Sequence, residues 1–131
     1  MYIHLYKNNP TVGGTDGSQV SEGTGLNPIT TNLLNSANNE ESSAIKLALR
    51  CDAGYKTAGS VIIVPVGTTL NKWCLSLDGV TWGGYGAVLT VSTVVTAVNT
   101  IIYCKAKSDN SEKPTSDISV SLQIFGSLLA V

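Results

Sequence analysis

The chain has 131 residues, a length that fits a single domain able to bury roughly two-thirds of its unfolded surface. Apolar residues make up 43% of the sequence and charged residues 13%, about half the usual charged share, and the formal net charge is −1. No basic field attracts phosphate and no apolar run approaches the ~20 residues of a membrane span. We therefore expect neither nucleic acid nor a membrane as a partner.

The first 25 residues combine a short alternating run with a loop-rich stretch. Residues 2–6 place Ile3 and Leu5 on one face, which predicts an edge strand. Residues 8–25 contain Asn-Pro, Gly-Gly and Asp-Gly pairs among repeated Ser and Thr, which indicates an irregular arm. This arm holds too little apolar surface to offset the entropy of ordering itself. We expect the edge of the main domain or a neighbouring subunit to hold it.

The clearest structural signal is strict alternation of apolar and polar side chains, which is typical of an antiparallel strand with one dry and one wet face. It occurs in residues 45–51, 102–107 and 118–124. A short apolar run at residues 61–64 is closed by Pro65, which predicts a strand that lies at a sheet edge or ends there.

An Asp-Gly pair predicts a hairpin in the middle of the chain. Asp78 and Gly79 stand between two short strand-like runs, and such a pair supplies the positive φ angles of a two-residue type I′ turn. This turn would place Leu75 opposite Trp82.

Together these elements predict an all-β fold. With further short strands expected at residues 28–34 and 88–91, we predict an antiparallel β-sandwich of about seven to eight strands. The sandwich is assigned to residues 28–131, and residues 1–27 to an N-terminal edge strand and a Gly/Ser/Thr-rich arm. The predicted core consists of Leu47, Leu49, Trp73, Leu75, Ile102, Cys104, Val120 and Leu122.

The sequence offers no constellation for catalysis. Its one histidine, His4, falls on the predicted N-terminal strand, and its nine acidic residues fall in predicted turns and loops. Nucleophilic catalysis needs a base beside its nucleophile, so we expect no enzyme, no catalytic residues and no cofactor. There is no Cys-x-x-Cys pair for zinc, and Asp109, Asn110 and Glu112 match no calcium loop, so we expect no metal.

Two aromatic residues flank a glycine-rich turn and are the candidate binding residues. Trp82 and Tyr85 could together form a stacking platform for a sugar ring or for a side chain of a partner. In the alternative interpretation, Trp82 pairs with Leu75 across the predicted hairpin and is buried beside it.

The run at residues 99–106 resembles the late strand of an immunoglobulin-type domain, with Cys51 on the early strand and Trp73 between them. The resemblance implies an immunoglobulin-like sandwich and, in one interpretation, a Cys51–Cys104 bridge between its two sheets. The other interpretation is three reduced thiols, because three cysteines cannot all be paired within the chain. The chain departs from antibody domains at Ile102, where they have the tyrosine of the tyrosine corner.

Three further segments, residues 13–25, 38–51 and 73–82, resemble small structural proteins encoded among the virion genes of phages and prophages of Gram-positive bacteria. The resemblance implies a non-enzymatic virion component near the tail or on the capsid surface. Its expected partners are other virion subunits, with a homo-oligomer among the assemblies.

The location follows from the same resemblance. The protein would be assembled in the bacterial cytoplasm, and the first ten residues lack the basic start and apolar stretch of a secretory signal peptide. The alternative function is a carbohydrate-binding or adhesion module that contacts a cell-surface glycan through Trp82 and Tyr85.

Overall fold

The computed structural model of the protein describes residues 3–20, 44–66, 72–107 and 121–131. The elements within these ranges are β-strands in antiparallel sheets, so the predicted all-β sandwich class is confirmed. No helix in these ranges is long and apolar enough to cross a membrane. In chain order the strands are β1 (Ile3–Lys7), β2 (Ser18–Gln19), β3 (Ile45–Cys51), β4 (Tyr55–Thr57), β5 (Val61–Val66), β6 (Trp73–Ser76), β7 (Leu89–Val91), β8 (Thr100–Ala106), β9 (Ser121–Phe125) and β10 (Leu128–Ala130).

The first sheet has five strands in the order β2-β1-β3-β8-β6. The alternation predicted for β3 and β8 sets its faces, because Leu47 lies opposite Ile102 in the β3–β8 register. Both side chains are buried in the core. In each strand, the residues that alternate with these core residues, such as Lys46 in β3 and Tyr103 in β8, therefore lie on the outer face of this sheet.

The second layer is a three-stranded sheet, β7-β5-β9, together with the β4–β10 pair. A hydrogen bond from the Ala58 amide to the Ser127 carbonyl, 2.8 Å long, links the connections between these strands. Ala58 lies between β4 and β5, and Ser127 lies between β9 and β10. Of the two alternatives predicted for Pro65, the edge strand is wrong, because β5 is the central strand here, and the end of the strand is placed within one residue, since β5 ends at Val66. Pro65 is tolerated because β7 pairs with residues 61–63 alone, and at Pro65 the ladder continues on the β9 side.

The core lies between the two layers. It includes the predicted residues Leu47, Leu49, Leu75, Ile102 and Cys104, and Trp73 and Leu122 are partly buried against it. Val120 lies outside the described residues. The second layer contributes Val61, Ile63, Val91 and Val95.

The N-terminal strand belongs to the sandwich. β1 lies between β2 and β3, with Leu5 opposite Leu49, and Ile3 and Leu5 are 4% and 5% exposed in the core. The strand predicted at residues 2–6 is thus present as β1 and pairs in the first sheet, whereas the division between residues 1–27 and 28–131 stays a prediction. Residues 21–27 and the strand predicted at residues 28–34 lie outside the described residues.

The loop after β1 is held by a buried asparagine of the sandwich. The Asn99 side-chain amide donates to the Thr11 carbonyl at 3.0 Å and to Asp16 Oδ1 at 3.0 Å. Its side-chain oxygen accepts from the Arg50 guanidinium at 3.1 Å, and its backbone amide donates to the Gly14 carbonyl at 2.8 Å. We expected either the main domain or a neighbouring subunit to hold this loop, and these hydrogen bonds come from the main domain.

Candidate binding site

The turn after β6 is built by two polar side chains. Asp78 Oδ1 accepts from the backbone amides of Val80 and Thr81, both at 2.8 Å. Ser76 Oγ accepts from the Gly79 amide at 2.9 Å and donates to the Thr81 carbonyl at 2.7 Å. The amides of Val80 and Thr81 stabilise the carboxylate and lower the pKa of Asp78. The predicted type I′ turn is wrong, because φ is positive at Gly79 and not at Asp78.

This turn packs onto the outer face of β8. Gly79 has φ of 77°, and a Cβ atom at that position would lie 3.2 Å from Cγ of Tyr103. Two features therefore favour glycine at position 79, the positive φ angle of the backbone and the close approach to the Tyr103 ring.

The glycine-rich segment that follows lies along the open edge of β6. The Gly83 amide donates to the Leu75 carbonyl at 3.3 Å, and the Gly86 amide donates to the Trp73 carbonyl at 2.8 Å. The predicted Leu75–Trp82 pair is wrong by one residue, because Gly83 takes the position opposite Leu75. Leu75 is in the core, whereas Trp82 is half-buried on the outer side.

The two candidate aromatic rings each contact a lysine ammonium, one from β8 and one from the residue directly after β8. The Lys105 ammonium lies 4.7 Å from the centroid of the Trp82 ring. The Lys107 ammonium lies 4.3 Å from the centroid of the Tyr85 ring. Tyr103, Lys105 and Lys107 alternate onto the outer face of β8 and are spaced by about 7 Å. We call Trp82, Tyr85, Lys105 and Lys107 the aromatic–lysine row.

The sequence named Trp82 and Tyr85 as candidate binding residues, which they remain, and it did not indicate that two lysines contact their rings. The signal for the lysines was present in the alternation of residues 102–107, which places both on one wet face. What the sequence lacked was the path of the glycine-rich segment. That path depends on the Asp78 turn and on the contact between Gly79 and Tyr103.

Three lysines lie on the outer face of the first sheet, Lys46 on β3 and Lys105 and Lys107 at the end of β8. Lys46 lies opposite Tyr103 on the neighbouring strand β3, beside the aromatic–lysine row.

The cysteines are free thiols, and the bridge between Cys51 and Cys104 is wrong. Both strands belong to the same sheet, with Cys104 opposite Ile45 and Cys51 at the other end of β3. Six residues of strand separate them by about 20 Å, and a disulfide needs Cα atoms within about 7 Å. Burial raises the pKa of Cys104 to about 12, which keeps the thiol protonated.

His4 takes part in a short polar chain on the first sheet. Its Nε2 lies 3.1 Å from Asp52 Oδ1, and its Nδ1 lies 3.3 Å from Nε2 of Gln19. Within the described ranges, no group of three or more His, Cys, Asp or Glu side chains could hold a metal ion. Asp109, Asn110 and Glu112 lie outside those ranges.

On the outer face of the three-stranded sheet, large apolar side chains are exposed beside the polar residues Thr90 and Gln123. Ile62 lies opposite Phe125 in the β5–β9 register, and the two side chains are 40% and 53% exposed. Val88, next to β7, is also exposed and alternates onto the same face. We call these three residues the Ile62–Phe125 face.

Comparisons with protein-family models, with curated proteins and with solved structures found no match to this chain. The resemblance to virion proteins therefore stays a prediction, and the two surfaces just described are the basis for the functional proposals.

Proposed function

We propose that this chain is a non-enzymatic structural or decoration protein of a phage or prophage virion, and that it acts through protein–protein assembly. The observation that supports assembly best is the Ile62–Phe125 face. Its three large apolar side chains lie on two neighbouring strands and the end of a third. Contiguous exposed apolar surface of this kind marks an interaction site more often than a free surface.

The occupant that we assign to this face is a second copy of the chain. Ile62 and Phe125 are 40% and 53% exposed, so covering the remainder of each side chain stabilises an interface by about half of the value for full burial, roughly 1 kcal/mol each. Within the described residues, β9 pairs with β5 and forms one end of the three-stranded sheet. A low share of charged side chains, 13%, also reduces the cost of removing surface from water.

Sedimentation equilibrium of the full chain tests this proposal. We expect a mass above that of the 13.7 kDa monomer at micromolar concentration, and Phe125→Ser should weaken self-association about tenfold or more. Val12→Ser is the matched control, because Val12 is 71% exposed and lies on the loop after β1. A chain that stays monomeric at several hundred micromolar, or equal weakening by both variants, would contradict the proposal.

A second candidate function is a carbohydrate-binding or adhesion module. One specific observation favours it, since the fold brings Trp82 and Tyr85 to the same outer face of the first sheet. Each ring is half-buried, so it is fixed in place while part of it can contact a ligand. Binding to a glycan panel that is abolished by Trp82→Ala and spared by Phe125→Ser would support this function over assembly.

A further inference from the structure

The outer face of the three-stranded sheet has a composition that suits contact with its own copy. The strand residues described on this face are all uncharged, and they are Ile62, Val64, Thr90, Gln123 and Phe125. A contact about a two-fold axis uses the same patch on both copies. A charged patch would then oppose like charges, whereas this one places neutral side chains against neutral side chains.

The polar residues of this face can form hydrogen bonds with their own copies. The Thr90 hydroxyl and the Gln123 amide each contain both a donor and an acceptor. Each can therefore donate to, and accept from, whichever of these two groups faces it across the contact. A carboxylate or an ammonium group has only one of the two roles, so two copies of such a group could not pair with each other.

The position of Ile62 allows the two sheets to overlap completely. Ile62 lies on the central strand β5, with Thr90 opposite it on β7 and Phe125 opposite it on β9. A two-fold axis centred on Ile62 lays all three strands of one copy over all three strands of the other. Because each copy uses the whole of its patch, this contact closes at two copies and does not continue into a chain.

The layers of the sandwich determine where the two aromatic–lysine rows lie in such a dimer. The row is on the outer face of the first sheet, and the contact uses the outer face of the other layer, with the core between them. Packed sheets are about 10 Å apart. In the resulting stack of four layers, the two first sheets are therefore about 30 Å apart, and their rows face away from each other.

We propose that two copies of the chain pack face to face about a two-fold axis centred on Ile62, in a closed dimer whose aromatic–lysine rows point in opposite directions. This inference rests on the proposed assembly function and adds the symmetry of the contact. Such a dimer can join two partners, one at each row, but it cannot lay both rows on one flat surface.

Two cysteine variants of the full chain, at several hundred micromolar, test this geometry. The native thiols are at most 3% exposed, so the introduced cysteine is the reactive one. Thr90→Cys lies beside Ile62, within about 15 Å of its copy, and a short bismaleimide should cross-link it into a dimer. Lys46→Cys lies beside the aromatic–lysine row, and nitroxide labels on it should be about 30 Å or more apart by double electron–electron resonance.

Two further substitutions verify that both signals come from this face. Phe125→Ser, added to either cysteine variant, should abolish the cross-link or the distance peak. Ile62→Thr keeps a β-branched side chain on β5 and should weaken the dimer about fivefold or more. Circular dichroism of each variant verifies that the fold is retained.

The outcomes separate this inference from the assembly function on which it rests. A mass that keeps growing beyond the dimer as concentration rises would show an open contact. Lys46 labels closer than about 20 Å would place the first sheets, not the three-stranded sheets, against each other. Either result would overturn the inference while self-association remains. A chain that stays monomeric at several hundred micromolar would overturn both.

Discussion

Substituting Leu5 by alanine should destabilise the protein severely, although the sequence places this residue just before a glycine-rich loop. Leu5 is 5% exposed and packs in the core, opposite Leu49 in the β1–β3 register. The variant removes three buried carbon groups, which corresponds to about 2.4 kcal/mol of transfer free energy. The flanking strands β2 and β3 limit collapse of the cavity, and the cavity term raises the expected loss to about 3–4 kcal/mol.

Equilibrium urea unfolding followed by tryptophan fluorescence measures this loss. The control is Val12→Ala, in the loop that follows β1, where an exposed side chain predicts a change within about 0.5 kcal/mol. The unfolding midpoint of Leu5→Ala should fall well below that of the control, at an unchanged slope. Losses below about 1 kcal/mol for Leu5→Ala would refute the integration of β1 and support the division into arm and sandwich.

Three further predictions concern the loops. Asn99→Ala should lower the free energy of unfolding by about 1–3 kcal/mol, since it removes the hydrogen bonds from the buried side-chain amide to Thr11 and Asp16 and from Arg50 to its oxygen; wild-type stability in urea would contradict it. Gly79→Ala should lower the melting temperature, because φ of 77° and the 3.2 Å approach to Tyr103 both oppose a Cβ atom; an unchanged melting temperature would show that the turn can shift freely. Hydrogen bonds from Thr11 to Asp16, and from the amides of Val80 and Thr81 to Asp78, hold the pKa of both carboxyls below the ordinary 3.8. Their stabilisation is therefore complete above pH 3.8 and is lost as the pH falls through the folded-state pKa, so Asp78→Asn should flatten the drop in melting temperature between pH 4 and pH 2, and an equally steep drop would contradict this.

The sequence was most informative where one face of a strand is dry. Alternation in residues 45–51 and 102–107 predicted β3 and β8 and placed Leu47, Leu49 and Ile102 in the core. Each of these side chains has a single low-energy side of the sheet, so the pattern determines the register. The all-β class followed from the same alternation.

The errors arose where distant contacts decide the structure. Alternation in residues 2–6 predicted a strand, but it could not say that this strand pairs with β3, 40 residues or more away. Alternation assigned Cys51 and Cys104 to an inward face but could not say that both strands lie in one sheet. The Asp78 turn departs from type I′ because Ser76 and Tyr103 hold it in another conformation.

The candidate site was predictable in part. A glycine-rich turn flanked by Trp82 and Tyr85 indicated the aromatic pair, and alternation placed Lys105 and Lys107 on a wet face of β8 without indicating that they contact the two rings. The contact between the rings and the lysines depends on how the glycine-rich segment is shifted, by one residue, along β6. Residue propensities do not predict that shift.

The measurement that tests the proposed function most directly is the protein composition of phage particles. Particles would be purified by density gradient after prophage induction of the strain that encodes this chain, and their proteins quantified by mass spectrometry. We predict that the chain co-purifies with the particles in a fixed ratio to the major capsid or tail protein across gradient fractions. Absence from the particles, with the chain recovered in the soluble fraction alone, would contradict a virion structural role.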